Sequence, residues 1–188
     1  MVYVFLADGF EEVEALTPVD LLRRAGAEVQ TVGVTGKTVT GARGIPVVAD
    51  ILPDEVDRDE MEMMVLPGGM PGTMNLNESD FVRECVQFCA DNERYIAAIC
   101  AAPSVILGGM DLLHHRRAIC YPGMEDGMSC ANVVHQNCCV DGKIITGRAA
   151  GAVRLWRRAG HRVSDRGRPA GLRRRDPGHR QERRRRFP

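Results

Sequence analysis

The 188-residue chain is 44% hydrophobic, enough for one packed domain and too short for two comfortable ones. No apolar run is long enough to span a bilayer. The start, MVYVFLADGFEEVEA, passes from a short apolar segment straight into acids without the basic opening of a signal peptide, so the expected location is cytoplasmic. The zero net charge averages two unlike parts. Residues 1–150 hold 11 Lys and Arg against 22 Asp and Glu, and residues 151–188 hold 14 Arg against 3 acids, giving −11 and +11.

In chain order, the apolar stretch 2–7 predicts a strand. The segment EEVEALTPVDLLRRAG predicts a helix with Val13, Leu16, Val19 and Leu22 on its apolar face, ending at Gly26. Pro18 inside it predicts a kink or a second start capped by Thr17. AEVQTVGVT reads as the next strand, and KTVTGARGIPVVAD as a small hairpin turning at Gly41 and Gly44. MEMMVLPGG is a strand running into a Pro-Gly-Gly loop. A helix over 79–93 follows, with Val82, Cys85, Val86 and Cys89 at helical spacing, so both cysteines are read as core and not as metal ligands.

YIAAIC predicts another strand, followed by a helix to about residue 113. His114 and His115 close that helix and suit its dipole. RRAICYP and NVVHQNCCVDGKIITGR supply the last strands, with His135 on one of them and Asp141-Gly142 as a hairpin signal. Near-continuous apolar strands alternating with helices imply an α/β fold, a mostly parallel sheet with helices on both faces. The seven cysteines form no CxxC pair and read as free thiols.

One thiol stands apart. Cys100 ends a strand just before a helix start, where Ala101 and Ala102 permit a sharp turn and Pro103 fits the first helical turn. Helix N-terminal amides favour a thiolate there, while a buried structural cysteine is the alternative. The glycines of LPGGMPG let backbone N–H groups approach a ligand closely, and such groups could stabilise an oxyanion near Cys100.

Three segments, ADGFEEVEALTPVDLLRRAG, VLPGGMPGTMNL and AAICAAP, resemble the DJ-one/ThiJ/PfpI superfamily, in the branch of the parkinsonism-associated deglycase and bacterial ThiJ-like proteins. The resemblance covers residues 1–151. It implies a flavodoxin-like three-layer sandwich, usually a homodimer, with Cys100 as the reactive thiol. Glu14 matches the acid that contacts the cysteine sulfur and donates a hydrogen bond to the thiolate. Gly69 and Ala101 match the positions whose amides line the anion pocket, with Gly68 beside them.

Relatives with protease-like triads place a histidine directly after the cysteine, where this chain has Ala101. Another branch has a histidine where this chain has Tyr121. The resemblance therefore implies a Cys–Glu pair acting on a small aldehyde such as methylglyoxal, or on a glycated adduct, in the manner of a glyoxalase or deglycase, with no cofactor or metal. The alternative is a redox-sensing or chaperone-like stress protein that uses oxidation of the same cysteine. A role in thiazole monophosphate biosynthesis has no phosphate-binding motif to support it.

Residues 152–188 have no lysine, abundant Arg, Gly and Pro, and no helical periodicity. Family members continue instead into an apolar helix that covers one face of the sheet. The reading is a domain over 1–151 that lacks its covering helix, and an Arg-rich, disordered tail produced by a shifted reading frame beginning near Ala149–Val153. The alternative is a basic arm that binds nucleic acid non-specifically.

Overall fold

The computed structural model describes residues 1–149, so the expectations for the Arg-rich tail, the missing covering helix and the reading frame lie outside the described residues. Strands β1 (Val2–Leu6), β2 (Val29–Gly33), β5 (Met63–Leu66), β6 (Tyr95–Ile99), β9 (Cys138–Asp141) and β10 (Ile144–Gly147) form a six-stranded sheet in the order β2-β1-β5-β6-β10-β9. Its first five strands are parallel, and only β9 at the edge is antiparallel. The parallel part follows the flavodoxin-like order. Strands β3 (Thr38–Thr40) and β4 (Pro46–Val48) form the expected hairpin.

Every residue of β1, β5 and β10 is buried, as a sheet covered on both faces requires. Alternation divides those residues between two cores. Tyr3, Phe5, Met64, Leu66 and Ile96 pack with Val82, Cys85 and Cys89 of helix α3 (Asp80–Asp91). Val2, Val4, Leu6, Val65 and Ile99 pack with Ala15, Val19 and Leu22 of helix α1 (Glu12–Arg24).

Several local expectations differ from the structure. Helix α1 runs through Pro18 without a second start, because Pro18 lies on the buried face, where packing on the sheet holds it. The buried residues of α1 are Glu12, Glu14, Ala15, Pro18, Val19 and Leu22, whereas Val13 is 49% exposed. A seven-residue helix, α2 (Gly72–Glu78), follows the Pro-Gly-Gly loop.

The helix expected to reach residue 113 is a π-helical segment, Pro103–Gly108, followed by turns. His114 and His115 sit in those turns and not at a helix end. The short strands β7 (Arg117–Ala118) and β8 (Asn132–Val133) pair with each other in a separate ladder, and His135 lies beyond β8 in an exposed loop. In the β9–β10 hairpin Asp141 still pairs with Ile144, so the two-residue turn is Gly142-Lys143. Among the described residues no helix is long and apolar enough to cross a membrane.

Candidate active site

The carboxyl ends of parallel strands are where open α/β sheets hold their ligands, and the predicted site residues gather at those ends. Gly68 and Gly69 follow β5, Cys100 and Ala101 follow β6, and Glu14 sits in the first turns of the helix that follows β1. The five residues come together.

Cys100 adopts a left-handed backbone, φ 62°. A non-glycine residue there is strained, and its neighbours fix it. Its N–H donates to the Gly147 carbonyl at the end of β10 (2.8 Å), and its carbonyl accepts from the Tyr121 N–H (2.7 Å). The sulfur faces the Ala101 and Gly69 amides and the Glu14 carboxyl.

Glu14 is 4% exposed, which its place in the sequence did not announce. Glu11 caps the helix by accepting the Glu14 N–H (2.7 Å), and Glu14 Oε2 accepts the Gly68 N–H (3.0 Å). Gly68 lies against both side chains. A Cβ there would stand 2.5 Å from Cys100 Cβ, 2.5 Å from Glu14 Oε2 and 3.1 Å from Cys100 Sγ. Only glycine fits. Gly69, with φ 94°, lies so close to Phe10 and the Glu11 N–H that a side chain would strike that backbone, and the Glu11 N–H donates to the Gly68 carbonyl (2.9 Å).

The electrostatics tie the two groups to one proton. Burial, then the Glu11 charge, pushes the Glu14 carboxyl up to about 7, opposed by the Gly68 and Cys100 hydrogen bonds. Burial, then the Glu14 charge, pushes the Cys100 thiol up to about 12, opposed by the Ala101 and Gly69 amides. The easily ionised thiol expected from the helix start is therefore not what these surroundings favour while Glu14 is charged. A thiolate requires the form in which Glu14 keeps the proton and donates a hydrogen bond to the sulfur.

Beside this centre lies a cavity of about 200 Å³ lined by Tyr121, Pro122, Asn137, Arg148 and Ala149. Tyr121 and Gly147, the residue before Arg148, are the two that hydrogen-bond the Cys100 backbone. Sequence reasoning missed this lining, because its residues come from three segments that only the sheet brings together.

The sequence model of the DJ-1/PfpI family matches residues 1–160. The chain belongs to the DJ-1/PfpI family. It is 36% identical over 152 residues to protein DJ-1 homolog B of Arabidopsis thaliana, covering 80% of this chain but only 35% of the plant protein, little more than a third of its length. It is 33% identical over 160 residues to a protein of Pyrococcus abyssi named a deglycase, covering 84% of this chain and 95% of that one. A mutant of a DJ-1 superfamily protein from Salmonella typhimurium superposes with a TM-score of 0.82 at 31% identity, over 87% of this chain and 90% of that one. These likenesses support the mostly parallel α/β fold and a family-level link to deglycase-named proteins.

Proposed function

We propose that the chain converts small reactive dicarbonyls, or the glycated adducts they form, with Cys100 as nucleophile and Glu14 as proton carrier. The observation that carries this is the Glu14 carboxyl against the Cys100 sulfur beside Gly68, with the carboxyl held near 7 so that it can both give and take a proton at neutral pH.

With methylglyoxal the steps balance. The sulfur bonds the aldehyde carbon, and the oxyanion takes the Glu14 proton to give a hemithioacetal. The carbon-bound hydrogen then moves to the neighbouring ketone carbon through an enediol, carried by Glu14, while the hydroxyl proton passes to the former ketone oxygen. The product is a thioester of lactic acid, which water cleaves to lactate and free thiol. The Gly69 and Ala101 amides, already aimed at the sulfur, stabilise the negative charge that forms beside it.

This chemistry is assigned to the α/β domain of residues 1–151, acting as a homodimer on a small aldehyde or glycated substrate, and the likeness to a deglycase-named protein supports it. The test is lactate formation from methylglyoxal by the full chain. Cys100→Ser is expected to lose at least a hundredfold in kcat/KM, and Glu14→Gln at least tenfold. Lactate formation that survives Cys100→Ser would sink the reading. If no lactate forms and dilute peroxide instead converts Cys100 to the sulfinic acid, the redox-sensor alternative replaces it.

A further inference from the structure

Away from Cys100, the turn after the π-helical segment brings Asp111 and His114 against Cys130. A carboxylate oxygen, an imidazole nitrogen and the thiol sulfur all lie within 4.8 Å of one another. Asp111 Oδ1 is 4.0 Å from His114 Nδ1. Both of these residues are exposed, and Cys130 is half-buried. We propose that Asp111, His114 and Cys130 form a binding site for a borderline divalent cation of the zinc(II) type.

The donor set selects the cation. Thiolate and imidazole suit zinc-like ions, whereas magnesium and calcium take oxygen shells. Zinc bonds sulfur at about 2.3 Å and nitrogen or oxygen at about 2.0–2.2 Å, so tetrahedral ligands stand roughly 3.3–3.6 Å apart. The three atoms, within 4.8 Å of one another, exceed that spacing by no more than about 1.5 Å. Three protein ligands leave a fourth position for water or an exogenous ligand.

The backbone already holds the two segments together. The His115 N–H donates to the Cys130 carbonyl (3.0 Å), and the Asn132 N–H donates to the Arg116 carbonyl (2.8 Å). Asn132 Nδ2 also donates to the His115 carbonyl (2.9 Å). Leu113, beside His114, is fully buried and anchors the turn in the core. The ligands are thus supplied by segments whose ordering cost folding has already met. None of the three residues belongs to the Cys100 constellation, so the site is independent of that chemistry.

The experiment titrates the full-length chain with cobalt(II), a visible stand-in for zinc(II), and then displaces it with zinc(II). One equivalent should give a thiolate-to-metal charge-transfer band in the wild type and in Cys100→Ser. Cys130→Ser should abolish the band, and Asp111→Asn and His114→Gln should each weaken binding at least tenfold. Asn tolerates the left-handed backbone of Asp111 (φ 57°), so that variant changes the ligand and not the turn. The proposal is overturned if no band forms at one equivalent, if it survives Cys130→Ser, or if it is lost in Cys100→Ser. Should Cys130→Ser fail to fold, the two exposed variants decide, and unchanged affinity in either overturns the site.

Discussion

Glu14 carries an energetic signature that can be read without a substrate. Its carboxyl sits near 7 in the folded chain against an ordinary 4.5, so the folded state holds this proton more tightly than the unfolded state. Folding stability therefore falls as pH rises from about 4.5 to about 7, and levels off above. The shift corresponds to about 3 kcal/mol at most. Glu14→Gln keeps an oxygen to accept the Gly68 N–H and cannot ionise. It should match the wild type in urea unfolding near pH 4.5 and exceed it by about 1–3 kcal/mol at pH 8. Parallel pH dependences for the two proteins would mean that Glu14 is not held in this environment. Gly68 is the companion case, because a methyl there meets Cys100 Cβ and Glu14 Oε2 together. Gly68→Ala should cost about 1–3 kcal/mol by overpacking. It should also part the carboxyl from the sulfur, so iodoacetamide labelling of Cys100 between pH 5 and 8 should change its pH profile. An unaltered profile would mean that the pair is not formed beside Gly68.

At the scale of elements, the strands were legible because each parallel strand is an apolar run, and such runs have few other places to go. Cys100 was legible in place, at a strand end before Pro103, but its left-handed backbone (φ 62°) was not, because it is fixed by bonds to Gly147 and Tyr121 from remote segments. Helix α1 was legible in extent but not in orientation. Its apolar spacing put Val13 inward, yet the chain buries Glu14, because the carboxyl's partners at Gly68 and Cys100 lie more than fifty residues away and no local pattern encodes them. The same blindness hid the meeting of His114 with Cys130, which depends on a backbone bond between remote turns. Helix α3, by contrast, follows its periodicity. Cys85 and Cys89 are fully buried, and burial pushes their thiols up to about 11 and 12. Neither should be alkylated in the folded protein at pH 8, and both should label as soon as urea unfolds it. Site-resolved mass spectrometry would show this, and early labelling of Cys89 would mean that α3 does not stay docked.

At the scale of the molecule, three of the exposed apolar side chains of the described residues lie on the hairpin and on α1. Val48 is 68% exposed, Ile45 51% and Val13 49%, and the first two lie on the β3–β4 hairpin while the third lies on α1. The hairpin is fastened to the start of α1. Glu12 Oε1 accepts the Arg43 N–H (2.6 Å), and the Ala42 N–H donates to the Phe10 carbonyl (2.7 Å). The three side chains thus ride on one braced support, which favours association because little ordering remains to be done. A second copy seated there would gain about 25 cal/mol per Å² of apolar surface removed from water. Sedimentation of the wild type should report a dimer at micromolar concentration, and the double variant Ile45→Asp, Val48→Asp should shift it toward monomer by at least tenfold in Kd. Both side chains are exposed, so circular dichroism should not change. Equal dimerisation of the two proteins would place the interface elsewhere. The site should feel the loss, because Glu12 braces the hairpin and Glu14 reaches Cys100 from the same turn of α1. A monomeric variant that turns over methylglyoxal as fast as the dimer would mean that the brace holds without a partner.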